Sequence, residues 1–188
     1  MKPAAVLLAA GASRRLGRPK QLLELDAEPM VRRAARICLE VGFEPVLAVL
    51  GSGAAEVEAA LDGLAVRCLD NPEWPEGMAA SIRAGLAALP GEATAVLLLA
   101  CDQPTLSAAL LREFRRLHQD RPEAVLASAY NGGRGIPALF PRSRLEALAS
   151  LRGDRGAKAL LGEAELIPFP GGEIDFDTPE DVEAWLRR

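Results

Sequence analysis

A chain of 188 residues, 49% apolar and 26% charged, has the size and composition of one globular domain with a sizeable core. Its formal net charge of −4 excludes a global field for nucleic acid or an anionic membrane surface, so any anion site must be local. No apolar run approaches membrane-spanning length, and Cys38, Cys68 and Cys101 stand at no metal-ligand spacing in apolar surroundings, which reads as buried thiols in a reducing cytoplasm.

The first predicted strand is the apolar run "AAVLLAA" at 4–10. Its short apolar stretch reads as a strand and not as a signal peptide. It empties into Gly11, Ala12 and Ser13, and then into Arg14, Arg15, Arg18 and Lys20. A helix is predicted over 29–41: Pro29 suits a first helical turn, Met30, Ala34, Ile37, Cys38 and Val41 share one face, and Gly42 ends it. Further apolar runs at 45–50, 64–69, 94–100 and 124–130 alternate with helical patterns at 54–62, 77–89 and 107–118, the last capped by Ser107. Continuous apolar strands joined by helices imply a mostly parallel sheet covered on both faces, an α/β three-layer sandwich forming a single domain over 1–188. The last third is less regular. "GGRGIPALFPRS" reads as a loop, a short strand and a turn, and "ALASLRGDRGAKALLG" as two short helices around a glycine-rich break. "DTPEDVEAWL" is a well-signalled helix with Thr178 as N-cap and Pro179 in its first position. His118, the only histidine, is expected at a surface or capping position, so histidine acid–base catalysis is not expected.

Ligands of a parallel sheet gather outside the carboxyl ends of its strands. Residues 10–13 lie at such an end, where small side chains let backbone N–H groups approach an anion, and the cations beyond add charge. This suits a triphosphate; the alternative is a tight turn with a solvated basic flank, and Arg14 and Arg18 read best as solvated. The P-loop pattern and the GxGxxG dinucleotide fingerprint are both absent. Asp102 ends the most apolar strand and reads either as a Mg²⁺ ligand or as a cap before Pro104. Trp74 reads equally as a pocket wall or as a cover for the core.

"LAAGASRRLGRPKQLL" follows the pattern LAAGxSxRxGxxKxLL, which resembles the signature of the MobA-like nucleotidyltransferases. These enzymes transfer a nucleoside monophosphate from an NTP. "NPEWPEGMAASIRAGL" (71–86), "LLLACDQP" (97–104), "GIPALFPRSRLEALASLRGDRGAKALL" (135–161) and "DFDTPEDV" (175–182) resemble further segments of the same family, so the likeness spans nearly the whole chain. Gln103 stands where the family more often has Met, and is expected to matter little. The resemblance implies a Rossmann-like fold of the nucleotide-diphospho-sugar transferase type. It implies nucleotide contacts from Leu8, Ala9, Ala10, Gly11, Ala12 and Ser13, from Arg15 and Lys20, and from Asn71, Gly77, Met78 and Ser81. Lys20, Arg15 and Asp102 are the implied catalytic residues. Mg²⁺ is expected on Asp102 and Asp177, with Asp175 as the alternative second ligand, and the acceptor beside Pro137, Gly153, Asp154 and Gly156.

Within the family the likeness is greatest to molybdenum cofactor cytidylyltransferases, which implies CTP and a molybdopterin-type acceptor as substrates, and a molybdoenzyme or its chaperone as a protein partner. Neither nucleic acid nor a membrane is implied. Ala10 stands where guanylyltransferase relatives tend to have Gly, and its methyl leans the base pocket toward a pyrimidine. The alternatives are a guanylyltransferase using GTP, an NTP transferase with a non-pterin acceptor, and, in another class, a non-catalytic carrier of the cofactor.

Overall fold

The computed structural model describes residues 2–154 and 156–187. In chain order its elements are β1 (Ala4–Ala9), β2 (Glu24–Leu25), β3 (Glu28–Pro29), α1 (Met30–Val41), β4 (Val46–Leu50), α2 (Ala54–Ala60), β5 (Val66–Asp70) and α3 (Met78–Ala87). There follow β6 (Ala95–Ala100), α4 (Ala108–Asp120), β7 (Leu126–Tyr130), β8 (Gly133–Pro141), α5 (Leu145–Ala149), β9 (Glu165–Pro168) and α6 (Pro179–Leu186). Seven strands form one sheet in the order β5-β4-β1-β6-β8-β7-β9, and β2 and β3 form a small separate ribbon. β5, β4, β1 and β6 are parallel, while β8 runs antiparallel between β6 and β7.

The pleat explains why the central strands are apolar throughout. Ala5, Leu7 and Ala9 of β1 pack into one cluster with Val31, Ile37 and Cys38 of α1 and Leu111 and Phe114 of α4. Val6, between them, points to the opposite cluster with Ala79 and Ile82 of α3 and Leu148 of α5. Each face of the sheet therefore has its own helical layer, which makes the expected three-layer sandwich. Gly85 lets α3 sit close to the sheet, because a Cβ there would stand 2.5 Å from Val6 Cγ1.

Several local expectations change. Pro29 is the extended residue before α1 and not its first turn; its ψ of 137° holds it in the ribbon opposite Glu24. The segment read as a short strand is the nine-residue β8. Its register with β7 passes from Ala127↔Ala138 to Ser128↔Gly135, so Ile136 and Pro137 form the irregularity. A bulge is where a strand tolerates proline, and its two glycines and two prolines hide the apolar pattern that a strand normally shows. β9 is a four-residue edge strand too short for a sequence signal. Cys38 and Cys101 are buried as expected, but Cys68 is only half-buried on the edge strand β5. Burial pushes the Cys38 thiol up to about 12, so it is inert at neutral pH. His118 is buried in the last turn of α4, not at the surface; burial pulls its pKa down and keeps the ring neutral. The Ser107 and Thr178 caps form as read, Thr178 within a capping box with Asp181.

Candidate active site

The chain leaves β1 toward β4 and β5 on one side, then returns to place β6 on the other. Such a reversal opens a crevice outside the carboxyl ends of the two diverging strands. Here it is a cleft of about 590 Å³ at the ends of β1 and β6. Leu8, Ala10, Gly11, Ala12, Ser13 and Lys20 line it, together with Gly77, Met78, Ser81, Asp102 and Asp154.

The loop after β1 is held from behind. Gln21, 1% exposed, donates from Nε2 to the carbonyls of Ala9 (2.9 Å) and Gly11 (2.7 Å). The carbonyl between them, on Ala10, accepts from the Ser52 backbone N–H at 3.1 Å. Three successive carbonyls are thereby turned onto protein donors. The N–H groups of Gly11, Ala12 and Ser13 have no protein acceptor among the described residues. Ser13, at φ 49°, closes the turn: its carbonyl accepts from Leu16 and Gly17, and its Oγ accepts from the Lys20 backbone N–H at 3.0 Å. A loop with its carbonyls withdrawn and its N–H groups free is suited to an anion. Exchanging Gln21 for Met is therefore expected to destabilise the fold by about 1–3 kcal/mol, the cost of stranding buried acceptors. The KM for the NTP that the sequence resemblance implies should rise about tenfold, with kcat little changed. Denaturant unfolding and initial rates measure both, and an unchanged KM would mean that Gln21 does not hold the loop.

Lys20 reaches from this loop to two carboxylates. Its Nζ is in an ion pair with Asp102 and stands 3.2 Å from Asp177. Asp177 also pairs with Arg15. Burial works against the Lys20 ammonium, but the charges and hydrogen bonds of Asp102 and Asp177 outweigh it, and its pKa is raised above the ordinary lysine value. Asp177 reaches this point because its neighbour is anchored. Phe176 is buried in a satellite cluster with Leu16, Leu23 and Met30, against which Val182 and Trp185 of α6 also pack. The segment after β1 and the C-terminal segment thus share one small core. Asp175, on the other side of Phe176, has its pKa raised by burial and then by the charges of Asp177 and Asp102.

Two carboxylates converging on one ammonium show that this point accepts a cation. The donor set also fits a divalent ion, which takes one or two carboxylates and completes its shell with phosphate oxygens and water.

The remaining expected residues divide into those at the cleft and those behind it. Ala9 is buried beneath it and offers only its carbonyl to Gln21. Asn71 is buried too: its amide donates to Ser81 Oγ at 3.2 Å and accepts from the Glu73 N–H, so it positions Ser81 and the 71–77 loop. Arg15 is exposed and contacts Asp177 instead of lining the cleft. Gly77, at φ 108°, lets the 153–154 loop pass over the start of α3, since a Cβ would meet Asp154 Oδ1 at 2.3 Å. Gly153 accepts from the Ala79 N–H at 3.1 Å, which places it as a support for α3. Pro137 is buried in β8, where its carbonyl accepts from Ser128 Oγ. Gly156 backs Met78, and Arg155 beside it lies outside the described residues.

Sequence reasoning missed Gln21, and it left Arg14 as solvated although Arg14 lines the cleft. Trp74 also lines it, packed over Gly51. Gln103 is not incidental: its Nε2 donates to the carbonyls of Ile136 (3.1 Å) and Gly172 (2.9 Å), tying the end of β6 to β8 and to the C-terminal loop.

Residues 5–167 match the MobA-like NTP transferase domain. A nicotine blue oxidoreductase of Paenarthrobacter nicotinovorans is 35% identical over 187 residues, covering 95% of this chain and 90% of the relative. A probable molybdenum cofactor guanylyltransferase of Synechococcus elongatus is 36% identical over 194 residues, covering 98% of each. Among solved structures, Rv0371c of Mycobacterium tuberculosis superposes with a TM-score of 0.82 at 32% identity over 100% of both chains. A manganese complex of Rv0371c superposes at 0.78, with 29% identity over 100% of this chain and 99% of that one. On the match across its length, the chain belongs to the MobA-like NTP transferase family.

Proposed function

We propose that the protein transfers a nucleoside monophosphate from an NTP to the terminal phosphate of a molybdopterin-type acceptor, releasing pyrophosphate. The observation that carries this reading is the Lys20–Asp102–Asp177 cluster at the mouth of the Gly11–Ser13 loop. An acceptor phosphate oxygen bonds to the α-phosphorus, and the bond to the β-phosphate oxygen breaks. The attacking oxygen is already ionised, so no general base is needed, in keeping with a sequence whose one histidine is buried in α4. The Gly11–Ser13 N–H groups hold the phosphates, and the Lys20 ammonium stabilises charge on the non-bridging oxygens. A divalent ion on Asp102 and Asp177, Mg²⁺ or Mn²⁺, would neutralise the triphosphate; the manganese complex of Rv0371c supports a metal in this family.

For the base, guanylyl transfer is the better supported reading. The relatives at 32% and 36% identity carry that name. Beside the likeness to cytidylyltransferases, the sequence argument for CTP rests on the Ala10 methyl. Ala10 is 6% exposed, and a Cβ on Gly51 would lie 2.8 Å from its own Cβ, so the methyl is largely committed to packing against Gly51. Exchanging Ala10 for Gly is accordingly expected to change the ratio of GTP to CTP efficiency by less than about threefold, below the roughly 1–3 kcal/mol that one methyl in a pocket usually decides. A tenfold swing would restore the pyrimidine reading.

The oxidoreductase name of one relative raises a redox alternative. Paired carboxylates around a lysine are not needed for hydride transfer, and the GxGxxG fingerprint is missing from the sequence. The test is a panel of GTP, CTP, ATP and UTP with molybdopterin and Mg²⁺ or Mn²⁺, read as pyrophosphate release, beside NAD(P)H oxidation with the same acceptor. Release with GTP and no NAD(P)H consumption is expected. NAD(P)H oxidation without pyrophosphate would overturn the reading.

A further inference from the structure

We propose that a second cavity, across Met78 and Ile136 from the nucleotide cleft, is the acceptor site, and that it takes a planar heterocycle bearing a phosphomonoester whose anion is read by Lys158. The proposal rests on the transferase reading for the identity of its occupant, but not for the existence of the site.

The cavity measures about 440 Å³, enough for a fused-ring ligand. It shares Met78 and Ile136 with the nucleotide cleft, so ligands in the two spaces would meet across those side chains. Tyr130 lines it and donates its hydroxyl to the Ile136 carbonyl at 3.3 Å, and Ile136 in turn lines the cleft that holds Asp102.

Its walls are fixed by glycines. Tyr130 packs edge-on to Phe169 at 6.0 Å between ring centroids. A Cβ on Gly135 would stand 2.0 Å from the Tyr130 hydroxyl, and one on Gly172 would stand 2.7 Å from its Cδ1. The ring therefore has one seat. Met78 is seated likewise, because a Cβ on Gly156 would lie 2.7 Å from its sulfur. Met78 nevertheless remains 43% exposed, an unusual position for a large apolar side chain at the start of a helix. A ring packed against its thioether would cover it.

The polar groups suit such an acceptor. The Arg134 guanidinium is committed to the carbonyls of Leu161 (2.8 Å) and Gly162. The Lys158 ammonium, on the same cavity, has no hydrogen-bond or ion-pair partner among the described residues. It is the cation left for a ligand anion. Glu173 lines the cavity as well and can accept from ring N–H groups.

The test uses the full chain with Lys158→Glu and Lys158→Arg. Lys158 is exposed, so both variants should keep the wild-type thermal midpoint. With molybdopterin and GTP, Lys158→Glu should raise the acceptor KM about tenfold or more, leave the GTP KM within about twofold, and be rescued by Lys158→Arg. Binding is read separately from transfer, by fluorescence titration with a pterin phosphate and with the same pterin lacking its phosphate. Lys158→Glu should weaken the first about tenfold and leave the second unchanged. A shift in GTP KM with the acceptor KM intact would overturn the proposal, as would equal pterin phosphate affinities in wild type and Lys158→Glu, or no binding by wild type. Lys158-dependent pterin phosphate binding without pyrophosphate release from any NTP would uphold the site and remove the transferase reading instead.

Discussion

Replacing Asp102 by asparagine is expected to lower turnover by at least about a hundredfold while the chain stays folded. Asp102 lies two residues beyond β6 at the switch point, in contact with Lys20 and lining the cleft. Asparagine keeps its shape, and the amide oxygen still accepts from the Lys20 ammonium, so packing survives. What is lost is a negative oxygen where Asp102 and Asp177 converge on the Lys20 ammonium. Charge compensation by a metal in phosphoryl transfer contributes several kcal/mol, and each 1.36 kcal/mol is a factor of ten in rate. Initial rates of pyrophosphate release across a Mg²⁺ or Mn²⁺ titration would show a lower plateau and a half-saturating concentration displaced upward. Near wild-type activity at ordinary metal concentrations would remove Asp102 from the proposed metal site.

How far the sequence revealed this arrangement depended on the kind of interaction involved. β1, β4 and β6 were legible because burial on both faces leaves continuous apolar runs. β8 was not, because the irregularity at Ile136 and Pro137 and the glycines beside Tyr130 break its pattern. Lys20 and Asp102 could be singled out by motif, yet their contact could not, since it depends on how β1 and β6 neighbour each other in the sheet. Gln21 shows the limit most clearly. It lies one residue from the proposed phosphate-binding lysine, and its work is done backwards across the loop, on carbonyls ten and twelve residues earlier. No periodicity encodes a side chain that bonds to backbone at that separation. The pairing of Arg15 with Asp177 likewise depends on Phe176 being seated in the satellite core.

Lys20→Met should separate turnover from binding. Its side chain is about as long as lysine's stem and carries no charge, so the loop that Ser13 and Gln21 hold is left in place. The Gly11–Ser13 N–H groups would still take up the phosphates of the ground state, and the KM for NTP should change by less than about tenfold. Charge on the non-bridging α-phosphate oxygens is redistributed only as the new P–O bond forms, so an ammonium there acts mainly in the transition state. The expected fall in kcat is about 10²–10³-fold, the scale found when one preorganised charge-stabilising donor is removed. Rapid-mix single turnovers would show whether the loss lies in the chemical step, and a loss confined to KM would reduce Lys20 to a ground-state phosphate contact. The same variant also distinguishes the two sides of the cluster. Removing the ammonium frees Asp102 and Asp177 from their shared partner. The metal concentration for half-maximal rate should therefore stay level or fall in Lys20→Met, whereas it rises in Asp102→Asn. If it rose in both, lysine and metal would not be neighbours competing for the same carboxylates, and the proposed metal position between Asp102 and Asp177 would be wrong.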